Sequence, residues 1–167
     1  MVIDILMILE KGIWFGFAAL GFAVLFNVPP RTLLIIWLLG AVGGLTKLLL
    51  MQTSVPIVVA TFAGASLIGI LSVSAAHNKH APPLVFSIPS VIPMIPGAFA
   101  YRMMLGLINL SGTAVSSPTY YQTLAETTSN GLKTMFILMA LAAGVAIPML
   151  ISRKETIKKI SRLPDTD

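Results

Sequence analysis

Residues 87–97 read Ser87-Ile-Pro-Ser-Val-Ile-Pro-Met-Ile-Pro-Gly97, which places three prolines inside an apolar stretch. A proline in a helix interior removes one backbone donor and clashes with the carbonyl four residues earlier, at a cost of about 3 kcal/mol. In hydrocarbon, the backbone groups freed in this way must find protein or water partners, so irregular backbone survives there only where it is buried or lines a cavity. The stretch therefore predicts a broken transmembrane helix.

The composition supports a membrane location for this segment. Of the 167 residues, 56% are apolar and only 10% are charged, whereas a soluble domain carries about 25% charged residues. A soluble domain of this length cannot bury so many apolar side chains. Cysteine is absent, which excludes disulfides, thiolate metal sites and cysteine nucleophiles. We therefore expect an all-α, polytopic membrane protein.

Apolar runs with few charges, each about 20 residues long, predict five transmembrane helices. These spans cover about residues 5–26, 32–50, 55–76, 83–110 and 132–152, with the fourth broken near 89–97 and a basic tail at 153–167. The Ser- and Thr-rich segment 111–130 is expected at or outside the membrane surface. Ser117 before Pro118 would cap a short helix there. Gly131 would mark the break before the last span, which Pro148 would kink.

The basic tail predicts the orientation. Five of the eleven Lys and Arg residues lie in the last fifteen positions, so the basic residues are concentrated in the tail and do not indicate a nucleic-acid-binding face. The positive-inside rule places the C-terminus in the cytoplasm, and five crossings then place the N-terminus outside. Because Asp4 precedes the first basic residue, a cleaved signal peptide is not expected. The predicted location is the inner membrane.

The depth of the proline segment indicates what it does. If the fourth span enters from the cytoplasm near Pro83, Pro93 lies roughly 15 Å deep, near the midplane of a hydrocarbon core about 30 Å thick. Pro96 suits the first turn of a second half-helix, whose free amides at 97–99 would attract a carboxylate. Broken helices of this kind hold the substrate in transporters. The alternative is a kinked helix whose prolines are tolerated by packing.

Among the charged residues of the predicted spans, Glu10, Lys47 and Arg102 are the candidates for charge coupling. Antiparallel packing of the first two spans would bring Glu10 level with Lys47. An ion pair is the structural interpretation, with Lys11 as a competing partner, and a proton-coupling role for Glu10 is the functional one. Arg102 would either snorkel to the outer interface or clamp an anionic substrate.

Other motifs indicate packing more than chemistry. His77 and His80 have no acidic or cysteine partner nearby, so we expect a solvated loop and no metal site. No metalloprotease or phosphate-loop motif is present, and no histidine is placed to activate a serine, so neither enzyme activity nor a cofactor is expected. Small residues four positions apart, such as Gly12 with Gly16 and Gly40 with Gly44, favour close helix packing.

Two motifs resemble the threonine/serine exporter family, and specifically its small subunit. They are residues 21–29, Gly-Phe-Ala-Val-Leu-Phe-Asn-Val-Pro, and residues 91–97, Val-Ile-Pro-Met-Ile-Pro-Gly, followed by Tyr101. The glycine-rich stretch 40–44 followed by Lys47 is similar to the family's second span. The resemblance covers about residues 1–152 and carries over the motif positions Asn27, Pro29, Pro93, Pro96, Gly97 and Tyr101. Arg102 has no counterpart in it.

The resemblance implies export of small carboxylate-bearing solutes, either threonine and serine or dicarboxylates such as succinate. It also implies a larger membrane subunit as partner, because the small subunit resembles the C-terminal membrane half of fused exporters. The expected substrate path comprises Pro93, Pro96, Gly97, Tyr101 and Asn27. The lipid bilayer and the carboxylate substrate are the other expected partners, and a homo-oligomer is an open alternative. The alternative from another class is a structural subunit that only scaffolds a transporting partner through its small-residue faces.

Overall fold

The computed structural model describes residues 2–112 and 118–160, and the side chains within 6–112 and 119–152. The described part is helical and contains no strand, which confirms the all-α prediction. The helices are α1 (Val2–Leu25), α2 (Leu33–Gln52), α3 (Ile57–Lys79), α4 (Pro83–Val91), α5 (Gly97–Gly112) and α6 (Pro118–Ile160), with short 3-10 turns at Pro30–Thr32 and Ile92–Met94.

Several of these helices are long and apolar enough to cross a membrane. The candidate spans are Leu6–Leu25, Pro30–Gln52, Ile57–Lys79 and Thr119–Ser152, and the bent pair Pro83–Met94 and Gly97–Gly112 makes up to a fifth. The chain bends by 55° between the two members of that pair. The protein is therefore a multi-pass membrane protein, and its fourth predicted span is broken at the proline segment.

The break lies at the second and third prolines of the segment. Pro89 stays inside α4, which ends at Val91. After the 3-10 turn, Ile95 is extended, with φ −59° and ψ 135°. A residue that precedes proline is pushed out of the helical region by the proline ring, so Pro96 explains the conformation of Ile95. The 3-10 turn and the extended residue Ile95 thus interrupt the helix, and the alternative of a merely kinked helix is wrong.

The predicted interruption at Gly131 is also wrong. Helix α6 runs without a break for 43 residues and passes through both Gly131 and Pro148. A Cβ added at Gly131 would lie 2.9 Å from Sδ of Met103 on α5, and one at Gly106 would overlap Thr127 on α6. These glycines let α5 and α6 approach closely, so the signal that suggested a helix end reports packing instead. Ser117, the predicted cap, lies outside the described residues.

Glycine contacts also join α1 to α2, as the small-residue spacings predict. A Cβ at Gly16 would lie 2.8 Å from the carbonyl oxygen of Trp37, and a Cβ at Gly40 would lie 2.6 Å from Cβ of Ala19. Close approach of this kind is the main source of helix association in membranes, where apolar side chains gain little by leaving lipid. The contacts fix the register of the two antiparallel helices.

Close contact between glycines also joins α2 to α3. A Cβ at Gly64 would lie 2.7 Å from the carbonyl oxygen of Gly43 and 2.8 Å from Cε of Met94. The two helix backbones and the break in the fourth span therefore meet at one level of the bundle.

Candidate functional site

The ammonium group of Lys47 lies inside the bundle at the break. Its Nζ donates a hydrogen bond of 3.1 Å to the carbonyl oxygen of Met94, and the Lys47 side chain is only 8% exposed. Met94 ends the 3-10 turn, where the helical pattern stops and carbonyl groups lose their usual donors. A cation at the carboxyl end of a helical segment also interacts favourably with the helix dipole. Lys47 therefore satisfies a backbone group that the break leaves free.

The predicted ion pair between Glu10 and Lys47 is wrong. Glu10 is exposed on α1, where its Oε1 accepts a 3.4 Å hydrogen bond from Nε1 of Trp14. No ion pair joins these two described residues, because Lys47 turns into the bundle toward Met94. The helical rise predicted similar heights for both side chains, but their directions differ.

Thr61 adds a hydroxyl at the same level. Helices α2 and α3 are antiparallel and touch at Gly43 and Gly64. The residue one turn after Gly43 on α2 therefore lies at the same height as the residue one turn before Gly64 on α3. Those positions are Lys47 and Thr61. Thr61 is fully buried and its hydroxyl has no hydrogen-bond partner. We call the Lys47 ammonium, the Met94 carbonyl and the Thr61 hydroxyl the break site.

The start of the second half-helix offers less than predicted. The amide of Gly97 donates to the carbonyl of Ile95 at 2.9 Å, and the amide of Phe99 donates to the carbonyl of Pro96 at 3.1 Å. Two of the three amides expected to be free are therefore already used within the turn. The positive group at this level with hydrogen-bonding capacity to spare is Lys47, which uses one of its three N–H donors on Met94.

Pro93, Pro96 and Gly97 border the break as predicted. Pro96 is buried, whereas Gly97 is exposed and a Cβ added there would meet nothing within 4 Å. Pro93 is half-buried and lines a small cavity of about 270 Å³ together with Lys11, Trp14, Phe15 and Ala18. The proline segment thus faces open space on the α1 side as well as the break site inside the bundle.

Asn27 and Tyr101 lie away from the break site. Asn27 is exposed in the turn that follows α1 and adopts the left-handed conformation with φ 54°, which asparagine tolerates better than most residues. Tyr101 is 65% exposed on α5. The structure therefore gives Asn27 a role in the turn and places Tyr101 on the outer surface of the bundle.

A polar groove between α5 and α6 contains Arg102 and two charged residues that the sequence did not single out. The groove has a volume of about 610 Å³ and is lined by Arg102, Ala125, Glu126, Ser129, Asn130 and Lys133. Nζ of Lys133 lies 5.6 Å from the ring centroid of Phe99, in the first turn of α5. Such a cation–π contact holds the ammonium next to the second half-helix.

Neither histidine forms part of a metal-binding group. Nδ1 of His77 lies 2.9 Å from the carbonyl oxygen of Val73 on the same helix, and His80 ends α3 in the left-handed conformation with φ 51°. Within the described ranges, no group of three or more metal-ligating side chains occurs. His77 thus lies in the last turn of α3, and His80 follows that helix at the turn to α4.

Comparison with known proteins identifies the family. The family described as "Threonine/Serine exporter, ThrE" matches residues 11–151. An uncharacterized protein of Haemophilus influenzae is 38% identical over 133 residues, which make up 80% of this chain and 43% of that protein. The chain thus spans less than half the length of this relative. No solved structure shows significant similarity to the chain. The chain belongs to the threonine/serine exporter family, a family of transporters and not of enzymes.

Proposed function

We propose that the chain is the membrane subunit of a two-component exporter of small carboxylate-bearing solutes such as threonine and serine, and that Lys47 binds the substrate carboxylate at the break. The hydrogen bond from Lys47 to Met94 is the observation that carries this proposal. It places a buried ammonium at the point where the fourth span is interrupted.

A neutral environment is costly for such an ammonium. Burying a charge without a paired counter-charge costs several kcal/mol, and ionisable residues inside a membrane bundle mark substrate or ion pathways. In the described part of the chain, the only bonded partner of Lys47 is the uncharged Met94 carbonyl. A substrate carboxylate would supply the counter-charge, with the Thr61 hydroxyl as a second donor.

The break also offers acceptors for the amino group of an amino acid. Because Pro93 has no N–H, the carbonyl of Pro89 has no donor four residues ahead. Unwound backbone carbonyls at a broken span hold cationic groups in transporters. A zwitterion therefore suits this site, with its carboxylate at Lys47 and its ammonium near the freed carbonyls of the proline segment.

The relative's length supports a partner. The matched residues make up only 43% of the Haemophilus influenzae protein, so that protein carries a large additional part in the same polypeptide. We propose that a larger membrane subunit of the same family supplies the corresponding part here. The basic tail supports an inner-membrane location with the C-terminus in the cytoplasm and the N-terminus outside.

A dicarboxylate such as succinate is the second candidate substrate. The groove that contains Arg102 and Lys133 favours it, because Lys133 contacts Phe99 directly after the break. A second carboxylate would find two cations there, against the one carboxylate of Glu126 in the same groove, and a monocarboxylate would not need them. The two substrates therefore differ in how strongly they should depend on this groove.

The test measures efflux of threonine, serine and succinate from cells that express the chain together with the gene product of its genomic neighbour. Lys47→Met removes the charge at similar volume, Lys47→Arg keeps it, and Lys11→Met is the matched control on the exposed face of α1. We expect Lys47→Met to lower efflux by more than about tenfold at normal membrane abundance, a loss of about 1.4 kcal/mol or more. Lys47→Arg should retain part of the efflux.

Unchanged efflux in Lys47→Met would remove Lys47 from the substrate site. If efflux by the pair required this chain while Lys47→Met changed nothing, the chain would be a structural subunit. Export by the chain expressed without a partner would contradict the two-component arrangement.

A further inference from the structure

Two apolar clusters divide the interior of the bundle. The first lies next to the α1–α2 and α3–α4 turns and contains Ala19, Ala23, Ile36, Leu39, Ala75, Ala76 and Phe86. The second lies at the break and contains Ala65, Ile68, Met94, Ile137 and Leu141. Ser72 of α3 and Ser87 of α4 are placed between the two clusters along their helices. We call these two side chains the serine layer.

Both hydroxyls of the serine layer lack a partner. Ser72 and Ser87 are fully buried, and neither Oγ has a hydrogen-bond partner. A buried hydroxyl without a partner loses the hydrogen bonds that it makes to water in the unfolded chain. Nearly all buried polar groups in proteins are bonded to protein or to ordered water. Two such groups on packed helices therefore require an explanation.

A helix offers hydroxyl side chains a simple local solution, which the serine layer does not use. Thr46 donates to the carbonyl of Val42 at 2.8 Å, and Thr134 donates to the carbonyl of Asn130 at 2.8 Å. The equivalent bonds of Ser72 and Ser87 to their own helices are absent. Their hydroxyls can therefore form hydrogen bonds with water or a solute at the interface of α3 and α4.

Ser90, one turn along α4, shows the contrasting case. Its Oγ lies 2.7 Å from the carbonyl oxygen of Phe86 and 3.2 Å from that of Ile36 on α2. This is the ordinary use of serine as a link between membrane helices. Pro89 adds an acceptor beside the serine layer, because it has no N–H for the carbonyl of Val85. The region thus combines two unpartnered hydroxyls with a carbonyl that lacks its usual helical donor.

We infer that Ser72 and Ser87 line the part of the transport path between the break site and the α3–α4 turn, and that they bond water and the polar solute during passage. The inference rests on the proposed function. Thr61 and Ser72 lie about three turns apart on the same face of α3, so unpartnered hydroxyls occur at the break site and again at the layer, with the apolar Ala65 and Ile68 between them. Alanine would allow equally close packing without an unsatisfied group, so packing alone does not explain these serines.

Cysteine accessibility tests this path directly. The chain has no cysteine, so the natural sequence already provides the background for single replacements. Ser72→Cys and Ser87→Cys are compared with Ala19→Cys, which is equally buried but packs against Gly40 between α1 and α2, away from the inferred path. Inside-out vesicles that contain both subunits are treated with a cationic, membrane-impermeant methanethiosulfonate reagent, with and without threonine or succinate.

We expect Ser72→Cys and Ser87→Cys to react at least about tenfold faster than Ala19→Cys, because thiols react as solvated thiolates, and we expect transported solute to slow the reaction. Equal rates at all three positions would overturn the inference. A result in which Lys47→Met exports normally while both cysteines react would retain the path and discard the Lys47 site.

Alanine variants give a second readout that does not depend on cysteine. Ser72→Ala and Ser87→Ala should lower efflux by about threefold or more without lowering the thermal midpoint, since each removes an unsatisfied group. Ser90→Ala, which loses the hydroxyl that donates toward the carbonyls of Phe86 and Ile36, should lower the midpoint. If Ser72→Ala and Ser87→Ala both export at the natural rate, the serines act only in packing and the inference fails.

Discussion

Nζ of Lys47 and the carbonyl oxygen of Met94 lie 3.1 Å apart, although 47 positions separate the two residues along the chain. The bond joins the second span to the interruption of the fourth. It exists because the chain leaves the helical conformation at Ile95, before Pro96 can extend the helix. The break and the buried charge are therefore parts of one arrangement, and each should depend on the other.

Restoring the helix should abolish transport. In Pro93→Ala combined with Pro96→Ala, residues 93 and 96 regain N–H donors, and a continuous helix would direct the amide of Ala98 to the Met94 carbonyl. Lys47 would then lose its partner. We expect efflux to fall by more than about tenfold at normal membrane abundance. Pro148→Ala, at a proline within α6, is the control and should export normally; normal export by the double variant would show that the break is dispensable.

Gly64 should be required for folding. A Cβ there would lie 2.7 Å from the carbonyl oxygen of Gly43, which is backbone and cannot rotate away. Overpacking costs about 1–3 kcal/mol and more where backbones must separate, so Gly64→Leu should strongly reduce membrane abundance and the thermal midpoint in detergent. Gly21→Leu is the matched control, since nothing lies within 4 Å of its added Cβ. Equal abundance of the two variants would contradict this contact.

The proline segment explains why the break could be predicted from the sequence, whereas the course of α6 could not. Proline acts locally, so its effect on the backbone does not depend on the rest of the fold. Gly131 can end a helix or admit a neighbouring helix, and only the approach of Met103 decides between the two. The sequence shows Gly131, but it does not show that Met103 of another helix packs against it.

The site was predictable in depth but not in direction. Counting helical rise placed Glu10 and Lys47 at similar heights, as the contact between Gly12 and Leu45 supports. It could not show that Lys47 turns toward Met94 while Glu10 stays exposed, because that choice depends on a carbonyl freed in another span. Thr61 was missed because hydroxyl side chains are common in membrane helices and only burial without a partner distinguishes this one.

Gly97 separates a role in transport from a role in packing. The site of its added Cβ is open, so Gly97→Leu should fold and reach the membrane at normal abundance. If solute passes the second half-helix, the larger side chain should reduce efflux by about tenfold or more. Gly112→Leu, at an equally open position at the far end of α5, should export normally. Normal efflux in Gly97→Leu would place the path on the other side of the break.

The groove between α5 and α6 should distinguish the two substrate classes. Lys133 contacts Phe99 just after the break, and Arg102 lines the same groove one turn further along α5. A dicarboxylate that leaves the break site carries a second negative charge, and a cation within about 4 Å of it is worth about 1 kcal/mol or more, depending on the local dielectric. Threonine and serine carry no such group and gain little from these cations.

Arg102→Gln and Lys133→Gln should therefore lower succinate efflux by about tenfold and leave threonine efflux within about twofold. Lys79→Gln, which removes an exposed cation at the α3–α4 turn, controls for net charge. Efflux of each solute is measured with the larger subunit present and is normalised to membrane abundance. An equal loss for both solutes would show that the groove is part of a path that both use and that its cations do not select between them. No loss for either solute would exclude the groove from transport.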